Sequence, residues 1–242
     1  MLCFLFLSFV SCSEFTELMS NRQTCPKQTG TVGNYKMNVL ANFWIGTACL
    51  RDKPGSGVGP VRGTNAVTIH GLWPGNNASS WPECCNNSYP FKPAEISGVA
   101  DLSKNWVSTQ GPDNSFYTHE WEKHGTCAMD LFRTERDYFS SVVNLNKRLN
   151  IAGIFRAAGI IAGNRTYSKN DVKTALRRGL GHDVLLECAK VNGISMLNAI
   201  YTCIDHSPAL NVQECTSDYK SKYEPKCPSS FILPAIPDSC YK

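Results

Sequence analysis

The 242-residue sequence lacks several features, and each absence removes a class of protein. There is no CxxC cysteine pair, which removes zinc ribbons and thioredoxin-type redox motifs. There is no polybasic run that would read as a nucleic-acid tail. Charged residues make up only 18% of the chain and the formal net charge is +4. That mild excess suits a polyanionic partner without demanding one. No apolar stretch approaches the roughly 20 residues of a membrane-spanning helix. Repeats and low-complexity linkers are also missing, and 42% apolar residues supply one core of ordinary size, so nothing forces a second domain.

The chain opens on MLCFLFLSFVSCS, apolar and ending in small residues. Ser11-Cys12-Ser13 offers a small-x-small cleavage site, so residues 1–13 read as a signal peptide and 14–242 as the mature domain. The usual basic segment before the apolar run is missing, and a buried N-terminal strand is the competing reading. Of twelve cysteines, loss of Cys3 and Cys12 with the signal leaves an even ten. An even, dispersed set behind a signal peptide reads as disulfides formed in an oxidising compartment. Cys84 and Cys85 are adjacent and are expected to bond to different partners. Sequons at Asn77, Asn86 and Asn164 fit the same route and mark possible N-glycans.

Residues 38–48 and 64–70 read as strands, with a glycine/proline loop, KPGSGVGPVRG, between them. Residues 96–106, 118–130 and 135–149 read as helices. Another starts at Ser168, an N-cap with Asp171 three residues on, and ends near Gly179. Asn192-Gly193 between two apolar runs is a hairpin signal, because its two-residue turn needs positive φ. Strands and helices alternate irregularly with at least one antiparallel hairpin. The fold class is α+β, one domain.

Chemistry concentrates in HEWEKHGTC, residues 119–127. A zinc-protease helix needs HExxH, two histidines four residues apart on one helix face. Here the second histidine is five residues after the first, and Lys123 stands at the ligand position, so the metal reading fails on spacing. On an α-helix turning about 100° per residue, Lys123 falls near 40° from His119, Glu120 near 100° and His124 near 140°. One face then carries two imidazoles, a carboxylate and an ammonium. Such a face suits an anion from which protons must be moved: cations hold a phosphate, and an imidazole exchanges a proton near neutral pH. Taken alone, the cluster reads more simply as a solvated, salt-bridged helix face. Cys127, which would pin the helix, and a second histidine segment shift the balance. In VTIHGLWPG, His70 ends a strand, Gly71 and Pro74 turn the chain, and Trp73 is exposed or half-exposed in the turn. His70 is either a packed core histidine or half of an acid–base pair, with the indole as a stacking platform for a base. His182 and His206 match no motif and read as solvated.

HGLWP followed by HEWEKHGTC closely resembles the two active-site segments of the ribonuclease T2 family, secreted, vacuolar or lysosomal RNA-cleaving enzymes of α+β fold. Weaker likeness extends over most of the mature chain, including Trp44 with Cys49 and the set Cys188, Cys203, Cys215 and Cys227. The resemblance implies that residues 14–242 are a catalytic domain with an antiparallel central sheet, helices packed around it and disulfide staples. It implies a secreted or vacuolar/lysosomal endoribonuclease that needs no cofactor or metal and acts as a monomer on single-stranded RNA. The 2′-OH attacks the neighbouring phosphate, leaving a 2′,3′-cyclic phosphate, so DNA is not cut. His124 would be the base and His70 the acid. His119 would hold the phosphate, and Lys123 with Glu120 would stabilise the phosphorane. Trp73 would stack the base 5′ to the cut and Phe116 the base on the 3′ side. Trp81 falls where some members carry an aromatic in the first base pocket. By the same likeness Cys127 pairs with Cys84 or Cys85, Cys188 with Cys227, and Cys203 with Cys215; Cys25, Cys49 and Cys240 stay unassigned. The chain departs from the pattern at Gly75, where members often carry Asp or Asn, and low base specificity follows. Tyr117 replaces a tryptophan. Asn38 and Asn42 occupy apolar positions of the first strand and put its register in question. A catalytically dead binding protein of the same fold would lack His70 or His124, and both are present.

Overall fold

A computed structural model describes residues 25–55 and 57–242; the expected signal peptide lies outside them. Strand β1 (Met37–Trp44) pairs antiparallel with β2 (Val67–Gly75) on one side and with β5 (Ile194–Asp205) on the other. β4 (Leu185–Val191) pairs antiparallel with β5, and β3 (Thr166–Ser168) with β6 (Ser230–Ile232). One parallel contact, Met196 to Ile232, joins β5 to β6, so the six-stranded sheet is mixed at that single point. The class is α+β, in one domain.

The sheet separates two apolar layers. Leu40 and Trp44 of β1 and Val67, Ile69 and Leu72 of β2 face the main core, where they meet Tyr138, Phe139 and Val142 of the helix Glu135–Leu149. Met37, Val39 and Ala41 alternate to the opposite face, beside Tyr201, Tyr219 and the flank of Trp73. That second face carries the site.

Local signals succeeded where they were self-contained. Helix α4 (Glu135–Leu149) has the expected bounds, capped by Thr134. Asn192 (φ 50°) and Gly193 (φ 80°) make the expected turn between β4 and β5. Ser168 caps α6 (Lys169–Leu180) through the Asp171 N–H, but that helix runs on to Leu180 with Gly181 as its C-cap, and Gly179 packs against Ile154 of α5 (Ile151–Ala157) instead. Other boundaries differ. The strand expected over 38–48 stops at Trp44, and Ile45–Asp52 is helix α1, burying Ile45, Ala48 and Cys49. That i, i+3, i+4 spacing is helical, and a short apolar run does not separate it from a strand. The helix expected over 96–106 is only a 3₁₀ turn, Pro93–Ile96, and a short α2, Leu102–Asn105; Gly98 and Asp101, both at positive φ, interrupt it.

Asn38 and Asn42 are fully buried; β1 keeps one register against β5, while its register against β2 shifts between Ala41 and Asn42. Asn38 donates to the Asp205 carbonyl. Asn42 donates to the Thr68 carbonyl at 3.2 Å and to Asn146 Oδ1 at 2.8 Å, and Asn146 in turn donates to Asn105 Oδ1 at 3.1 Å. A polar seam thus crosses the main core from β1 to α4 and α2. Asn146→Ala removes one partner from each of two buried amides, and should cost about 2–3 kcal/mol. Urea denaturation of the variant reads this directly; a loss below 0.5 kcal/mol would mean the seam is not holding these elements together.

Among the described residues, five disulfides staple the fold. Cys85–Cys127, Cys188–Cys227 and Cys203–Cys215 match the implied pairings, and Cys25–Cys84 and Cys49–Cys240 complete the set. The adjacent cysteines bond apart, as expected. His206 is not the solvated residue the sequence suggested: its ring stacks on Tyr35 at 3.8 Å and its Nε2 lies 2.6 Å from Asp130. His182 stays at the surface beside Glu214.

Candidate active site

β2 does not end at His70, nor does the chain turn at Gly71. The strand continues to Gly75, and His70 is the extra residue of a bulge, falling between the pairs Ile69 with Asn42 and Gly71 with Ala41. In a regular strand residues three apart point to opposite faces. The bulge resets that alternation. Ile69 and Leu72 both enter the main core, while His70 and Trp73, three apart, share the site face. Trp73 is therefore held in a strand.

The helix expected over 118–130 is three pieces. Helix α3 spans Asp113–His119, a π-helical turn spans Glu120–His124, and a 3₁₀ turn spans Gly125–Ala128. A π turn hydrogen-bonds i to i+5. It brings residues five apart towards one another, and the His119 and His124 rings stand 5.9 Å apart. The angles read from a regular helix therefore do not apply. Disulfides Cys85–Cys127 and Cys25–Cys84 and the Cys84 N–H to Lys123 carbonyl bond fix this segment. The 42-residue separation closed by Cys85–Cys127 corresponds to roughly 4 kcal/mol of unfolded-chain entropy.

Glu120 is fully buried and joins the two segments. Its Oε2 accepts from Trp73 Nε1 at 3.0 Å, and its Oε1 lies 3.5 Å from His70 Nε2. Gly71 permits this approach, since a Cβ there would lie 2.0 Å from Glu120 Oε2. The His70 ring stacks on Phe43 at 4.2 Å and sits 4.8 Å from Trp73 and 5.6 Å from Phe116. Trp73 lies 5.6 Å from His124 and so stands between the two histidines. Lys123 pairs with Glu83 at 3.3 Å. Burial, together with the nearby His119, Lys123 and His70, holds His124 well below the ordinary imidazole range. His124 is thereby kept neutral, with a lone pair available.

Two cavities flank His70. One, of about 290 Å³, is lined by His70, Trp73, His119, Lys123 and His124 at one end and by Trp81, Tyr219 and Lys222 at the other. The second, of about 230 Å³, holds Phe116 and Phe43 with Arg51, Asp52, Gln110 and Asn198. All eight residues singled out from sequence fall in or beside this region. Trp81 stands at its rim, about half exposed. Sequence reasoning missed Phe43, Glu83, Tyr219 and Lys222, which carry no motif and reach the site from distant segments.

The π turn also changes the argument about metals. Donor atoms of His119, Glu120 and His124 lie within 4.8 Å of one another, so spacing alone no longer separates them. Ligands bound tetrahedrally at zinc–nitrogen distances sit about 3.3 Å apart, and the Glu120 carboxylate already serves Trp73 and His70.

Residues 35–215 match the model of the Ribonuclease T2 family. The chain is 31% identical over 171 residues to extracellular ribonuclease LE of Solanum lycopersicum, covering 68% of this chain and 74% of that one. It is 34% identical over 171 residues to ribonuclease 3 of Arabidopsis thaliana, covering 68% and 76%. Among solved structures, RNase NT in complex with 5′-AMP superposes with a TM-score of 0.69 at 27% identity, covering 83% of this chain and 98% of that one.

Proposed function

The chain belongs to the ribonuclease T2 family and is an RNA-cleaving endoribonuclease, and we propose that it cuts single-stranded RNA by metal-independent transphosphorylation with low base specificity. The observation that carries this reading is the shared cavity of His70, His119, Lys123 and His124, with Glu120 bridging His70 to Trp73. His124, held neutral, takes the proton of the 2′-OH as that oxygen attacks phosphorus. His70 delivers a proton to the departing 5′-oxygen, its imidazolium countered by the Glu120 carboxylate. His119 and Lys123 meet the phosphate oxygens as negative charge gathers on them. A 2′,3′-cyclic phosphate remains, and DNA, lacking the nucleophile, is left intact. Trp73 stacks the base 5′ to the cut, with Trp81 at the rim of its pocket, and Phe116 the base on the 3′ side, which fits the two cavities meeting at His70. Gly75 offers no side chain to a base edge, so β2 imposes little selectivity.

Described helices include none long and apolar enough to cross a membrane. The relatives include an extracellular and an intracellular ribonuclease. A secreted or vacuolar/lysosomal monomer fits the disulfides and the sequons; Asn77 and Asn164 are exposed and Asn86 is half-buried. The test is mature protein with intact disulfides, incubated with single-stranded RNA and matching DNA in excess EDTA and read by mass spectrometry. RNA fragments ending in 2′,3′-cyclic or 3′-phosphate, with DNA untouched, are expected. Cleavage abolished by EDTA would return His119, Glu120 and His124 to the role of metal ligands.

A further inference from the structure

We propose that helix α7 (Ser217–Tyr223), through the Tyr219 hydroxyl and the Lys222 ammonium, decides which base is preferred beside Trp73, favouring guanine and uracil, with a carbonyl oxygen at ring position 6 or 4, over adenine and cytosine, with an amino group there. The inference rests on the ribonuclease reading for its substrate and deepens it.

Beside Trp73 the first cavity is lined by Pro74, Ala78 and Trp81 and by Tyr219, Lys222 and Tyr223 of α7. These three lie beyond residues 35–215, the span that matches the family model. Position 75 shows the exchange. A Cβ on Gly75 would lie 2.6 Å from the Tyr219 hydroxyl. The space where a side chain after HGLWP would begin is therefore occupied by a phenol from a different element. An Asp or Asn at 75 could not enter without displacing it.

The wall is fixed in place. Asp218 accepts from the Ala78 N–H, and Lys222 Nζ donates to the Ala78 carbonyl at 2.6 Å, so α7 clamps both backbone groups of one residue in the pocket loop. Disulfides Cys203–Cys215 and Cys188–Cys227 bracket the helix. Lys222 Nζ also lies 5.3 Å from the Trp81 ring and 5.6 Å from the Tyr223 ring.

An ammonium has three N–H groups and no acceptor. One is used on Ala78, and two remain for a base. The O6 of guanine and the O4 of uracil accept such a bond; adenine and cytosine carry an amino donor at the equivalent ring position and there meet Lys222 donor to donor. Burial, reinforced by Tyr223 and Asp218, pushes the Tyr219 phenol up to about 12, so its hydroxyl keeps its proton and can donate as well. Lys222 is exposed, which puts the discrimination at the low end for a base contact, about fivefold. That is a graded preference within an enzyme that cuts at all four bases.

The test pairs binding with cleavage, using wild type, Lys222→Met and Tyr219→Phe. Binding of 3′-GMP, 3′-UMP, 3′-AMP and 3′-CMP is measured by calorimetry, and kcat/KM on GpU, UpU, ApU and CpU in parallel. Wild type should favour the carbonyl bases about fivefold in both measurements, and each variant should bring that ratio towards one. An unchanged ratio in both variants overturns the proposal, and so does an equal loss on all four bases, which would make α7 a prop only. If wild type shows the binding preference but releases no 2′,3′-cyclic product from any dinucleotide, the role of α7 stands and the transphosphorylation reading falls.

Discussion

His124→Ala should lower kcat/KM on RNA by about 10³-fold. The residue is 8% exposed and lines the cavity with His119 and Lys123, and burial, with those neighbouring cations, holds it well below the ordinary imidazole range. The same burial governs pH. Because the folded value lies below the unfolded one, the unfolded chain binds this proton more readily. The stabilising contribution of neutral His124 is complete above about pH 6.5 and is lost as pH falls, at up to about 1.4 kcal/mol per pH unit. Wild type should therefore lose more stability on acidification than His124→Ala, as read from urea midpoints between pH 7 and 4. Activity should persist below pH 6.5, where an ordinary histidine would already be protonated. Near-wild-type cleavage by His124→Ala would remove it from the role of base.

Gly71→Ala tests the junction between the two segments, and its effect should be nearly as large. The added Cβ would lie 2.0 Å from Glu120 Oε2 and 2.6 Å from Trp73 Nε1, two atoms that are hydrogen-bonded to each other. Glu120 is fully buried and cannot swing into solvent. Either the carboxylate moves and leaves His70 without its neighbour, or β2 shifts and carries His70 with it. A single methyl group should thus cost about 2–3 kcal/mol in stability through overpacking. It should also lower kcat/KM by at least about 10²-fold, the scale of losing one positioned proton-transfer partner. Thermal denaturation and RNA cleavage on the same preparation measure both. Full activity at a lowered melting temperature would show that Glu120 serves the fold and not the reaction.

The residue types carried much of this by themselves. His70, His119, Glu120, Lys123 and His124 stood out because two short segments concentrate imidazoles, a carboxylate and an ammonium and resemble a family's active-site segments, and the fold gathers all five around one cavity. The Asn192-Gly193 turn, the Glu135–Leu149 helix and the Ser168 cap were legible because short-range sterics and local hydrogen bonds determine them. The dispersed cysteines announced disulfides; family likeness gave Cys188–Cys227 and Cys203–Cys215 and placed Cys127 with Cys84 or Cys85, and nothing local could distinguish those two. What only the tertiary structure decided depends on strands and helices far apart in sequence. The bulge that turns His70 and Trp73 to one face exists in the pairing with β1, about 30 residues away along the chain. The π turn that gathers His119 and His124 is held by the Cys85–Cys127 disulfide just after it and by the Cys84 N–H to Lys123 carbonyl bond, with Cys84 itself tied to Cys25. Asn42 looked misplaced until its partner Asn146 arrived from α4. Tyr219 and Lys222 reach the pocket from the far end of the chain, placed there by the packing of α7 on the loop around Ala78. A base edge is read by whichever side chains the fold brings within hydrogen-bond range, and sequence distance places no limit on which those are.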